Sequence, residues 1–159
     1  MDNDQLYARL DALARGEADN LIAELRSGYA VFGDEQWLPG YCLLIHRDRV
    51  RHLDELPLAG RTEFLAEMSL LGEALRAAAS AFDAGFGRVN YEILGNSWPQ
   101  LHAHVFPRYR WEPDRYRRMP VWLYPPDDRP APLPPDRLAT LRSDITARLT
   151  DLARAGGSG

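Results

Sequence analysis

Long hydrophobic runs are missing from this sequence. Nowhere do about 18 apolar residues follow one another, so no segment is expected to span a membrane. The opening MDNDQLYARLDALARGE has acidic residues where a secretory leader carries basic ones, and no continuous apolar stretch follows it. The expectation is therefore a reducing, cytoplasmic setting. Cysteine is almost absent: Cys42 stands alone, cannot form an internal disulfide, and sits among apolar neighbours as an inert core thiol. One cysteine and four histidines are too few for a structural zinc cluster of the usual kind. Excess positive charge is lacking too. A net charge of -4 and a pI near 5.5 give no general attraction to a nucleic-acid backbone. Internal repeats and interdomain linkers are also lacking, so residues 1–159 are read as one domain. Its apolar fraction of 45% is enough for a real core.

What is present alternates between helical and extended patterns. Leu6, Leu10 and Leu13 recur at helical spacing before Gly16, and a second short helix is expected over Asn20–Leu25. Tyr29–Phe32 reads as a strand ended by Gly33–Asp34. After the Pro39–Gly40 turn, Tyr41–Ile45 is almost wholly apolar and belongs in the middle of a sheet, whereas the charged His46–Glu55 leaves the core. Phe64, Met68, Leu71, Leu75, Ala79 and Phe82 mark the strongest helix, Arg61–Phe82, and its alanines predict close packing on a sheet. Strands follow at Arg88–Leu94 and Leu101–Phe106, joined by the turn Gly95–Pro99, with Pro107 closing the second.

Beyond that strand the texture changes. Arg108, Arg110, Arg115, Arg117 and Arg118 stand against only Glu112 and Asp114. Six prolines then lie between Pro125 and Pro135, which predicts an ordered arm lying on the domain, with a contact made by Val121–Tyr124. Asp136 is placed to cap a last helix whose buried stripe is Leu138, Leu141, Ile145, Leu149 and Leu152. The fold class is α+β: a core over about residues 28–124, then the arm and C-terminal helix over about 125–155.

The chemistry concentrates in Gln100–Leu101–His102–Ala103–His104. In an extended strand Gln100, His102 and His104 share one face, and Leu101, Ala103 and Val105 share the other. The second set has the character of a core, so the first faces a cleft or solvent. Three uses remain open on pattern alone. The face could be an ordinary polar strand surface. It could be half of a metal site, completed by Asp34, Glu92 or His46. Or a neutral imidazole could serve as a phosphorus nucleophile without any metal.

The segment NSWPQLHAHVFPRY, Asn96–Tyr109, resembles the signature of the histidine triad (HIT) superfamily of nucleotide hydrolases and transferases. The resemblance extends through WLPGYCLLIHRDRVRHLDEL and RVNYEILGN, and more loosely to Pro120–Trp122. It implies an α/β meander with a largely antiparallel sheet and one long packed helix, and a homodimer. It also implies a metal-independent reaction on a purine nucleotide or nucleotide conjugate, with no cofactor. The substrates it suggests are dinucleoside polyphosphates, nucleoside phosphoramidates or adenylylated small molecules. By position His102 is the expected nucleophile and His104 its helper at the phosphate. Gln100 replaces the first histidine of the triad and can hydrogen-bond but cannot shuttle a proton. Asn96 and Ser97 fall where phosphate contacts are made, and Asp34 where an acid meets ribose hydroxyls. Phe32 is a candidate wall of the base pocket or a core aromatic, and Arg108 a phosphate contact or an internal ion pair. His46 is a structural or rim residue, and His52 an exposed or capping one. Each tryptophan is read first as packing. The rival readings are a nucleotide sensor with little turnover and a metal-dependent HxH enzyme.

Overall fold

The computed structural model describes residues 3–156, with side-chain environments from Tyr7 onward. Helix α1 is Asn3–Ala14, and Gly16 ends the turn behind it with a positive φ of 71°. Leu10 and Leu13 are buried; the Leu6 side chain lies outside the described ones. Strands β1 (Leu21–Glu24), β2 (Gly28–Phe32) and β3 (Cys42–His46) form an antiparallel meander. Helix α2 (Leu58–Phe82) crosses the sheet. Strands β4 (Phe86–Glu92) and β5 (His102–Tyr109) return antiparallel, and β5 inserts beside β3. The sheet order is β1-β2-β3-β5-β4. The arm holds the short helix α3 (Asp114–Arg117) and single 3₁₀ turns at Val121–Leu123 and Pro126–Asp128, then leads into helix α4 (Pro135–Gly156).

Side-chain alternation sorts the sheet into two faces. Ala30, Phe32, Cys42, Leu44, Leu101, Ala103 and Val105 pack with α2 and α4, through Phe64, Leu71, Leu75, Ala78, Ala79, Leu141, Ile145 and Leu149. Tyr29, Val31, Leu43, Ile45 and Phe106 form the other face, covered by Tyr7, Leu10 and Leu13 of α1 and by Tyr116, Val121 and Tyr124 of the arm. The histidines of β5 share this second face. They are therefore roofed by a thin layer of short elements, not by a long helix.

Several elements differ from the sequence expectation for identifiable reasons. Asn20–Leu25 contains strand β1, not a helix, because a tight β1–β2 hairpin satisfies its backbone. Glu67 of α2, nearly buried, secures that hairpin by accepting from the Arg26 and Ser27 amides at 2.9 Å each and from the Ser27 hydroxyl. Strand β5 runs on through Pro107, which faces Val89 of β4. The paired register of β3 with β5 ends at Val105, so this stretch is a sheet edge on one side and tolerates a residue without an N–H. Asp136 lies inside the first turn of α4, and Pro135 opens it, a position where a missing N–H costs nothing.

Candidate active site

Two glutamines fix the backbone around the histidines. Gln36 latches the β2–β3 connection: its amide donates to the carbonyls of Gly33 (2.7 Å) and Tyr41 (2.9 Å), and its Oε1 accepts from Gly40 N–H (2.8 Å). Gly40 has a φ of 99°, a backbone state that a side chain would strain. Gln100 does the same job at the start of β5. Its fully buried amide donates to the carbonyls of His46 (2.9 Å) and Asp48 (2.8 Å). Its amide nitrogen is thus spent on the turn after β3, its Oε1 is buried without a hydrogen-bond partner among the described residues, and the side chain does not line the cavity.

The Gln100 carbonyl is the part that reaches the histidines. His102 Nδ1 lies 2.6 Å from it, and a carbonyl only accepts, so Nδ1 carries the proton. His102 Nε2 lies 3.0 Å from His104 Nε2, and His104 Nδ1 lies 2.6 Å from the Tyr41 hydroxyl. Burial pushes the His102 imidazole below its ordinary pKa, and the nearby Arg9 charge adds to this, against the Gln100 hydrogen bond. Burial, then the neighbouring His102, pushes His104 down to about 4. Both rings are neutral at pH 7, which leaves one consistent set of protons. Tyr41 O–H donates to His104 Nδ1, His104 Nε2–H donates to His102 Nε2, and His102 Nδ1–H donates to the Gln100 carbonyl.

These rings form the floor of a cavity of about 590 Å³. Trp98 stands beside His102, with ring centroids 5.1 Å apart. Trp122 meets His104 edge-on at 4.8 Å, and its indole N–H donates to Glu92. At the mouth are two ion pairs: Arg9 with Asp34 (3.0 Å) and Arg129 with Glu35 (2.9 Å). The arrangement offers an unprotonated imidazole nitrogen, an adjacent N–H donor and flat aromatic walls.

The sequence profile of the HIT domain matches residues 15–111. The chain belongs to the HIT family. Solved structures agree with the family assignment. A histidine triad protein from Marinobacter aquaeolei is 28% identical, with a TM-score of 0.68 over 93% of this chain and 97% of its own. Two more distant ones share the fold. A histidine triad protein from Sinorhizobium meliloti is 23% identical, with a TM-score of 0.66 over 85% and 93%. A hypothetical histidine triad nucleotide-binding protein from Sulfolobus tokodaii is 15% identical, with a TM-score of 0.65 over 94% and 97%. No curated protein matches the chain. HIT membership brings with it the general class of nucleotide-acting hydrolases and transferases.

Of the residues expected at this HIT site, His102, His104, Asn96, Ser97 and Asp34 all border the cavity. Asn96 and Ser97 lie on the β4–β5 connection, where Gly95 turns the chain with a φ of 90°. The Asp34 carboxylate is shared between Arg9 and Asn20 Nδ2 (3.1 Å). Two expected contacts lie elsewhere. Phe32 has the parity of Ala30, so the pleat turns it into the α2/α4 core, and it is no wall of the cavity. Arg108 shares the histidine face but lies under the arm. Its guanidinium is held by Glu112 at 2.9 Å and donates to the carbonyls of Met119 (2.8 Å) and Tyr116 (2.7 Å). It forms an internal ion pair and does not line the histidine cavity.

Among the described residues no three His, Cys, Asp or Glu side chains are grouped to hold a metal ion. The three conceived third ligands are otherwise placed: His46 Nδ1 accepts from Asp48 N–H, Glu92 holds Trp122, and Asp34 holds Arg9. Also among the described residues, no helix is long and apolar enough to cross a membrane. Sequence reasoning passed over Tyr41, Arg9 and Arg129 as site residues, and read Trp98 and Trp122 first as packing. Only Tyr41 left a local signal: a hydroxyl inside an apolar run needs a polar partner somewhere across the fold.

Proposed function

We propose that this HIT protein is a metal-independent nucleotide hydrolase or nucleotidyl transferase in which His102 forms a covalent nucleotidyl intermediate. The observation that carries this reading is the tautomer of His102. Its Nδ1–H is committed to the Gln100 carbonyl, so the lone pair of Nε2 is directed toward the cavity. An approaching phosphate displaces the His104 N–H from that lone pair and accepts it on a nonbridging oxygen. Nε2 then attacks the α-phosphorus, the Nε2–P bond forms, and the bond to the leaving group breaks. The ring becomes an imidazolium stabilised by its Nδ1–H bond to Gln100. Water or another acceptor resolves the adduct. Asn96 and Ser97 supply further polar contacts to the phosphate, and Trp98 and Trp122 offer flat faces to a purine.

In this reading Gln100 takes the place of the first triad histidine as a backbone clamp, and its carbonyl, not its side chain, serves the reaction. The protein works as one domain, in the cytoplasm, without a cofactor. Strand β4 is a seven-residue sheet edge and is the natural seam for a homodimer. Sedimentation at micromolar protein tests that association, and a monomer mass throughout would overturn it.

The catalytic test uses diadenosine polyphosphates, an adenosine phosphoramidate and an adenylylated carboxylic acid, all in chelator. Turnover by the wild-type protein and its loss, by at least about a thousandfold, in His102→Ala and His102→Asn is expected. Activity retained without His102 removes the nucleophile. Tight nucleotide binding with no product from any substrate would favour a sensor, and turnover abolished by chelator a metal enzyme.

A further inference from the structure

Tyr41 enters the site from an otherwise apolar run of sequence, and its hydroxyl occupies a decisive position. It donates to His104 Nδ1 at 2.6 Å across 63 residues of chain. Its ring stacks flat on Phe106, with centroids 3.8 Å apart and planes within 1°. The phenol is therefore held from two directions, and burial raises its pKa above the ordinary tyrosine range.

We propose that Tyr41 is a positioning residue that locks His104 as a neutral hydrogen-bond donor, so that the site selects nucleotide substrates whose leaving group departs as a stable anion. This rests on His102 as the nucleophile. A general acid must carry a proton it can lose. His104 in its locked form has one ring proton, on Nε2, and losing it would leave an imidazolate. To start as an imidazolium it would need a second proton on Nδ1, where the Tyr41 O–H already points. Tyr41 cannot serve as the source, because passing its proton on would leave a buried phenolate. Among the described residues, the other ionisable groups lining the cavity are Asp34 with Arg9 and Glu35 with Arg129, carboxylates held in ion pairs at the mouth. None of the described residues at the floor delivers a proton to the departing group.

The first step then balances without a proton transfer. The Nε2–P bond forms, the P–X bond breaks, and the electron pair leaves on X. Carboxylates and phosphates bear that charge, so acyl–nucleotide mixed anhydrides and phosphoanhydrides fit the site. Alkyl amides and alkyl esters do not, since an amine or alcohol must be protonated as it leaves.

Two measurements decide this. Long-range ¹H–¹⁵N spectra of the wild-type protein should show His104 protonated at Nε2 and His102 at Nδ1. A proton on His104 Nδ1 overturns the proposal without any variant. Second, adenosine 5′-phosphate 4-nitrophenyl ester, its phenyl ester and an alkyl phosphoramidate are compared in wild type and Tyr41→Phe. The wild-type kcat/KM should fall on the order of 100-fold from nitrophenyl to phenyl ester, and further for the amidate. In Tyr41→Phe, with Nδ1 free to take a proton, that gap should shrink to about tenfold or less. An unchanged gap, or a wild type indifferent to leaving group, overturns the proposal. Mass spectrometry of quenched wild-type reactions separates the two layers. An adduct on His102 with an unchanged gap removes Tyr41's role alone, and turnover with no adduct on His102 removes the nucleophile beneath it.

Discussion

His102 and His104 carry opposite duties on equal rings, and the hydrogen bonds around them make the difference. A backbone carbonyl can only accept, so it fixes which nitrogen of His102 is bare; a phenol completes the order at the far end. Burial adds a thermodynamic signature. In the unfolded chain both rings titrate near pH 6.5, whereas in the fold both are depressed, His104 to about 4. Between those values the unfolded state holds more protons, so stability rises with pH. Acidification from pH 7 to pH 4 should cost up to about 3 kcal/mol through His104 alone, with His102 acting in the same direction. Urea midpoints across that range check the sign, and His104→Gln should flatten the slope. Stability that instead improved below pH 6 would mean that the rings are charged in the fold. The same depression keeps the nucleophile unprotonated, so kcat/KM should hold its plateau to below pH 6.5 before its acid limb.

At the level of elements, the arm is secured by one buried pair. Arg108 and Glu112 are 3% and 0% exposed, and between them they hold the Tyr109 amide and the carbonyls of Tyr116 and Met119. The arm in turn presents Trp122 and Arg129 to the cavity. Arg108→Met should destabilise by about 3–5 kcal/mol, chiefly because the Glu112 carboxylate is left buried without a partner. Adding Glu112→Leu should recover part of the loss, as read from urea midpoints, and a double variant no better than the single one would contradict that cause. Such pairs show why the site was only half legible. Strand parity gave the His102–His104 face and its apolar reverse, because alternation is local and physical. Parity within one strand could not say which cover each face meets, so Phe32 stayed open between a pocket wall and a core aromatic. It could not say how far the cavity extends, so Arg108 stayed open between a phosphate contact and an internal ion pair. Tyr41, Arg9 and Trp122 come from three separate stretches, and only tertiary packing brings them together. Strand β1 escaped for a different reason: Leu21 and Ile22 lie four and three residues before Leu25, a spacing that satisfies a helix as well as a hairpin edge.

Taken whole, the molecule is a sheet between unequal covers. On one side α2 and α4 supply long, alanine-lined packing; on the other α1 and the arm form a thinner roof that leaves the cavity beneath it. The long helices were readable from periodicity, whereas the roof, built from a short helix and proline turns, had no period to read. The sheet's centre also holds the lone thiol. Cys42 is fully buried in β3 between β2 and β5, its Sγ lies 3.2 Å from the Gly40 carbonyl, and burial raises its pKa. A disulfide reagent reaches it only when the covers part, which makes labelling a stopwatch for the opening of the whole sheet. In native buffer the reaction should run on the order of a thousandfold or more slower than in denaturant. Labelling at the denatured rate would mean that the covers part freely. A nucleotide that binds only the folded state lowers the population of the opened one and should slow the clock further, so the same unaltered thiol can report ligand binding with no chemistry at the histidines at all.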